Sequence, residues 1–220
     1  MKKKILSLWI LCAVSFLLFG ALICAVKFIN VGAIGPEGSE IGLSALNGAV
    51  KDLFGFNEGI YDVTELLGLI SLATAAGFAL LGLIQLIHRK SLKLIDKDIY
   101  LLAALYVAVA VFYVLFEIVV INYRPVILEG ELEASFPSSH TLLSLSIMLS
   151  AAHQLYTRLP SKISKGIGLA AAVAIATATT ALRLVSGVHW FSDILGGALL
   201  SAGLLFAYFA AFEMLKKKND

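Results

Sequence analysis

Residues 136–156 read FPSSHTLLSLSIMLSAAHQLY. A proline, two hydroxyls and an imidazole stand at the head of an apolar run. A helix over Pro137–Tyr156 is long enough to cross a bilayer core of ~30 Å. Packing alone gives no reason for Ser138, Ser139 and His140 at that mouth, so their meaning depends on what shares their depth elsewhere in the chain. The rest of the sequence repeats the apolar pattern. Further runs cover about Ile5–Val26, Leu66–Ile87, Ile99–Ile121, Ile167–Val185 and Trp190–Leu215. With 60% hydrophobic residues and a mean hydropathy of +0.92, the chain exceeds the apolar content of about 45–50% usual for a soluble domain. Helix is the expected state throughout. Lipid offers the backbone no hydrogen-bonding partner, and the runs lack the alternation of a barrel strand. The expectation is an all-α, polytopic membrane protein of six transmembrane helices, with residues 1–220 forming a single domain.

Charge orients these spans. Lys2, Lys3, Lys4, Arg89, Lys90, Lys93, Lys97, Arg158, Lys162, Lys165, Lys216, Lys217 and Lys218 fall in alternate connections, and they are thirteen of the 17 basic residues. The bias of basic loops toward the cytoplasm places both termini there, in a cell (plasma) membrane. The first run resembles a signal peptide, but it is too long and lacks a small-x-small exit, so a retained helix is expected. Ile23 is too large to precede a lipoprotein-type cysteine at Cys24. Cys12 and Cys24 fit no zinc or redox spacing. Between the first two spans, residues from about Ser39 to Phe54 are amphipathic. They read as an interfacial helix or as a connector packed over the bundle. In the fifth run, GLAAAVAIATATTAL, small residues suggest close helix packing.

The outer helix ends then collect polar residues at one level. Arg124 closes the third span, Ser138, Ser139 and His140 open the fourth, Arg183 closes the fifth, and His189 and Asp193 open the sixth. Ionisable groups at such depth are costly and usually line a polar cavity. Two guanidiniums suit phosphate oxygens, and a helix start, with Pro137 in its first turn, presents free N–H groups to an anion. His189 and Asp193 lie four apart on one helical face. The carboxylate can fix the imidazole tautomer and leave the other nitrogen to attack phosphorus. His140 is then placed to protonate the leaving oxygen. With two arginines supplying positive charge, this chemistry requires no metal.

YRP at Tyr123–Pro125, PSSH at Pro137–His140 and RLVSGVHWFSD at Arg183–Asp193 together resemble the type 2 phosphatidic acid phosphatase (PAP2) superfamily, whose signature is K-x6-RP, PSGH and SR-x5-H-x3-D. The resemblance covers about the second half of the chain. It implies a six-helix core and metal-independent, cofactor-free hydrolysis of a lipid phosphate or pyrophosphate through a phosphohistidine. It casts His189 as nucleophile, Asp193 as its orienting partner and His140 as general acid. Arg124, Ser138 and Arg183 become phosphate binders, with the Ser139 backbone N–H assisting. With the termini inside, this site lies on the extracytoplasmic side, among membrane lipids and away from nucleic acid. Alternatives are a lipid-linked phosphotransferase, or a non-catalytic lipid-phosphate binder or transporter on the same fold.

Three positions depart from the signature. Ser139 replaces glycine, Leu182 replaces serine and Glu117 replaces lysine. Seven residues before Arg124, Glu117 would lie two helical turns away on nearly the same face. It reads as an ion-pair partner of Arg124 or Arg183, as a neutral hydrogen-bond donor to phosphate, or as a mark of altered substrate choice or lost activity. Glu129, Glu131 and Glu133 read as a solvated outer turn, and Trp190 and Phe191 as interfacial anchors. His88 and His153 fall toward the cytoplasmic side, apart from the chemistry.

Overall fold

The computed structural model describes residues 2–128 and 130–219. It contains seven α-helices: α1 (Lys2–Phe28), α2 (Ser44–Phe54), α3 (Glu58–Arg89), α4 (Lys97–Ile118), α5 (Ser139–Arg158), α6 (Lys162–Val185) and α7 (Phe191–Asn219). Among the described residues there is no strand, and the β-pairing consists of isolated bridges. Six helices run the length of the bundle. Their connections alternate between its ends: Lys4 Nζ meets Glu213 at 2.7 Å, which puts the start of α1 beside the end of α7.

Five of the six (α1, α3, α4, α6 and α7) are long and apolar enough to cross a membrane. The sixth expected span, α5, is set apart by its composition. That helix has the length, at 20 residues, but not the apolarity, because it carries buried Thr141, Ser144, Ser146, Ser150 and Gln154. The reason is position: α5 packs against α3, α4, α6 and α7, so protein rather than lipid surrounds it. Two of its polar side chains find partners on neighbouring helices, while Ser146 Oγ is buried without one. Ser71 Oγ donates to Ser144 at 3.3 Å, and Gln154 Nε2 donates to Tyr208 at 2.8 Å. A core of Phe19, Leu22 and Val26 from α1, Leu102, Leu105 and Val109 from α4, and Leu200, Leu204 and Leu205 from α7 closes around Leu142.

Helix boundaries shift where caps decide them. α3 starts at Glu58 because the Asn57 side chain accepts from Ile60 N at 3.0 Å. Residues 58–65, expected in the outer connection, are therefore helical. At α5 the cap is Ser138, whose hydroxyl accepts from Thr141 N at 3.4 Å, so Pro137 precedes the helix instead of opening it. α4 stops at Ile118, and Arg124 sits beyond it in an irregular segment. Pro125 accounts for this, since the residue before a proline is pushed out of helical geometry. Arg124 N instead donates to Glu133 O at 3.0 Å, folding 122–135 back on itself. Glu117 and Arg124 therefore do not share a helical face.

The amphipathic segment forms α2 and packs over the start of α7. Asn47 is fully buried; its amide donates to Ser192 Oγ at 3.0 Å and accepts from Ser192 N at 3.1 Å. One helix thus satisfies a first-turn N–H of another.

Candidate active site

The loop between α6 and α7 holds His189. Its approach is set by Gly187, at φ 71°, where an added Cβ would lie 1.7 Å from the Gly55 carbonyl oxygen. Only glycine fits both demands. His189 is 4% exposed, and its Nδ1 lies 3.4 Å from Asp193 Oδ2. The separation is an ion-pair distance without hydrogen-bond geometry, because both ring nitrogens lack a hydrogen-bond partner. Asp193 Oδ2 accepts from Trp190 N at 2.9 Å, capping α7 from its third residue while facing the imidazole. Asn122 and Ser135 face the same carboxylate, though their side chains do not reach hydrogen-bond geometry. Burial first, and then the charges of Arg124 and Arg183, hold the His189 imidazole well below its ordinary pKa. That shift favours the neutral ring, the state a nucleophile needs.

His140 occupies the second position of α5. Arg183 NH2 donates to its Nδ1 at 2.8 Å, and Glu65 Oε2 stands 3.2 Å from its Nε2. Arg183 is fully buried although it ends a membrane-length helix. Its NH1 donates to Thr64 Oγ1 at 2.6 Å and to Glu65 Oε1 at 2.8 Å, and its guanidinium lies 5.1 Å from the Tyr61 ring centroid. Its Nε is buried without a partner. Arg124 Nε lies 2.9 Å from Glu133 Oε2, but the N–H is not aimed along that line, and Arg124 NH1 is buried and unpartnered as well.

A cleft of about 500 Å³ runs down from this cluster. Tyr61, Glu65, Glu117, Arg124, Ser139 and His140 line its polar part, and Leu69, Leu72, Ala110 and Leu143 its apolar part. A narrow slot beside it is lined by His189, Ser135, Ser139, Tyr113 and Glu117. Tyr113, Glu117 and Ser139 border both spaces, so both imidazoles open toward one region.

Several expected roles change in this geometry. Ser138 is fully buried, and its hydroxyl also accepts from Thr141 Oγ1 at 3.1 Å, so it serves the helix cap. Ser139 has no positive φ, so the missing glycine costs no backbone strain. Glu117 makes no ion pair among the described residues: Arg124 faces Glu133, and Arg183 faces Glu65. Glu133 is thereby more than part of a solvated turn; Glu129 lies outside the described residues. Trp190 is 1% exposed and donates from Nε1 to Tyr123 O at 2.7 Å, so it braces the site instead of anchoring at an interface. His153 packs edge-on against Phe212, at 4.4 Å between ring centroids, away from the cluster.

Sequence reasoning began the second span at Leu66 and so missed the first two turns of α3 and the site residues on them. Tyr61, Thr64, Glu65 and Gly68 follow i, i+3, i+4, i+7 spacing, which puts them on one helical face. That pattern was the available signal, hidden by placing residues 61–65 in a loop.

Comparisons with known proteins bear on the same region. Residues 121–217 match the PAP2 superfamily. Among curated proteins no significant sequence match is found. A solved structure, the first transmembrane PAP2-type phosphatidylglycerolphosphate phosphatase from Bacillus subtilis, superimposes with a TM-score of 0.67 at 21% identity, covering 93% of this chain and 96% of that one. Residues 121–217 thus match the PAP2 superfamily, and nearly the whole chain shares the fold of a transmembrane PAP2-type phosphatase.

Proposed function

We propose that the protein is a membrane phosphatase that hydrolyses a lipid phosphate or pyrophosphate at the extracytoplasmic face through a phosphohistidine. The observation that carries this reading is a buried His189 backed by Asp193, beside guanidinium donors buried without partners. Such donors are costly in a resting protein and suit an incoming anion. His189 attacks phosphorus as the bond to the leaving oxygen breaks, and His140 supplies that oxygen's proton. Water, deprotonated by His140, then cleaves the P–N bond and releases phosphate. Arg124 and Arg183 offset the phosphoryl charge, so no metal is needed.

The apolar lower cleft favours a lipid, since acyl chains can stay in the bilayer while the headgroup enters. The basic connections lie at the opposite end of the bundle from His189, which supports an extracytoplasmic site. The Bacillus subtilis neighbour is titled a phosphatidylglycerolphosphate phosphatase. That lipid, phosphatidate and undecaprenyl pyrophosphate form the test panel. Phosphate release by the purified protein, with EDTA present, is expected from at least one of them. In His189→Ala it is expected to fall by about 10³-fold or more. Release that persists in the variant overturns the nucleophile assignment. Binding without turnover by the wild type leaves a binder, and transfer to a second alcohol without free phosphate leaves a phosphotransferase.

A further inference from the structure

The site contains two imidazoles, and the sequence motifs supply a carboxylate for one of them, Asp193 beside His189. The fold supplies another. α3 carries Glu65 to His140, with Oε2 at 3.2 Å from Nε2, while Arg183 NH2 donates to the opposite ring nitrogen, Nδ1, at 2.8 Å. Because an arginine N–H can only donate, Nδ1 is the lone-pair nitrogen, and the ring proton sits on Nε2 facing Glu65. We propose that Glu65 is the positioning residue of His140, holding its Nε2–H so that Nδ1 is presented on the Arg183 side, where phosphate binds. This rests on the phosphatase reading above and extends it to the half of the chain that the family match does not reach.

Three features of α3 support the assignment. Glu65 Oε1 accepts from Arg183 NH1 at 2.8 Å, so the same carboxylate fixes both the ring and the guanidinium beside it. Thr64 Oγ1, 2.6 Å from NH1, takes a further donor of the same group. Gly68, one turn on, leaves room for the ring: a Cβ there would lie 2.6 Å from His140 Cδ2. The other face of the guanidinium keeps its buried Nε–H for a ligand.

Proton accounting agrees with this arrangement. The resting His140 is neutral, and it takes a second proton, on Nδ1, from a substrate that enters as the phosphate monoanion, which displaces the Arg183 NH2 contact. The Nδ1 proton passes to the leaving oxygen as its bond to phosphorus breaks and the His189 N–P bond forms. Nδ1 then takes a proton from water as the water oxygen bonds to phosphorus and the N–P bond breaks. Glu65 remains a carboxylate throughout and holds Nε2–H in both steps, as an orienting carboxylate does. The charged and titratable groups facing His140 are Glu65 and Tyr61 from α3, Arg183 from α6, Arg124 before α5, Glu117 from α4 and His189 before α7.

The test compares Glu65→Gln with wild type on a lipid alkyl phosphate and on p-nitrophenyl phosphate, whose leaving group needs no proton. The kcat for the alkyl phosphate is expected to fall about 10²-fold, and that for p-nitrophenyl phosphate by less than about tenfold. The alkaline limb of kcat is expected to move down by about one pH unit, because a neutral amide no longer favours the imidazolium. Glu65→Asp is expected to keep the limb near its wild-type position, and it carries the test if the Gln variant fails to fold. Thr64→Val, which touches Arg183 but not His140, is expected to raise KM without moving the limb. Equal losses on both substrates with an unmoved limb would overturn the proposal and leave Glu65 a structural partner of Arg183. A wild type inactive on every phosphate would refute the phosphatase reading itself.

Discussion

The two ends of the bundle use the same ingredients differently. At the end that holds the termini, Arg158 donates from Nε to Gln154, from NH1 to Asp96 and from NH2 to Asp98, at 2.8, 3.1 and 2.7 Å. Arg89 and Gln85 complete Asp96 at 2.7 and 2.8 Å. Each of these side chains is partnered by a neighbour, and the cluster ties α3, α4 and α5 together. At the His189 end, Arg124, Arg183, His189 and Asp193 are more deeply buried, yet each keeps at least one polar atom without a hydrogen-bond partner. A closed network serves the fold, whereas an open one holds strength for something that arrives. The contrast identifies the site more firmly than the number of charges does, since both ends have arginines and carboxylates.

The sharpest way to break this comparison is the same substitution at each end. Lysine keeps the charge but loses the planar fork. Arg183→Lys is expected to reduce kcat/KM by about 10²-fold, because it misplaces His140 and phosphate together, and also to cost about 1–2 kcal/mol of stability through its own lost hydrogen bonds. Arg158→Lys is expected to leave turnover within about twofold and to cost about 1–2 kcal/mol of stability through its lost hydrogen bonds. Phosphate release and thermal unfolding in detergent check both, and reversed effects on turnover would reverse the assignment of the two ends.

A smaller expected effect isolates geometry from charge. Gly68→Ala adds one methyl where 2.6 Å separates the ideal Cβ from His140 Cδ2. The imidazole must tilt, and a loss of about tenfold in kcat is expected, with helix stability held or improved. Unchanged kcat would mean that the ring position is not critical. The smallest expected effect concerns Glu117, which borders both the slot and the cleft without an ion pair. Glu117→Lys is expected to lower KM for a lipid phosphate by roughly fivefold, about 1 kcal/mol, by adding a cation to the approach. Unchanged kinetics across the lipid panel would remove Glu117 from the site.

Much of this was legible before any coordinates. Tyr123–Pro125, Pro137–His140 and Arg183–Asp193 are local motifs, and their chemistry can be read from residue type and spacing. Glu65 was not legible. In sequence it follows Tyr61-Asp62-Val63-Thr64, a polar stretch before an apolar run, and reads as a loop. Its helical state depends on the Asn57 cap and on burial of Thr64 and Gly68 against α5 and α6. The interfacial reading of Trp190 failed for a related reason. An aromatic at a helix start fits a membrane boundary equally well until α2 and the 122–135 segment are seen to cover it.

By itself the sequence determined the number of bundle-length helices, the alternation of their ends and the motif residues that gather at one of those ends. Those properties follow from the length of apolar runs and the distribution of charge, which bilayer thickness and loop position make nearly one-dimensional. Tertiary structure alone decided which helix avoids lipid, which carboxylate meets which cation, and that Arg183 reaches Glu65 across 118 positions of sequence. Such pairings are set by three-dimensional packing, where a group's partner depends on helix rotation and depth, and no local spacing encodes either.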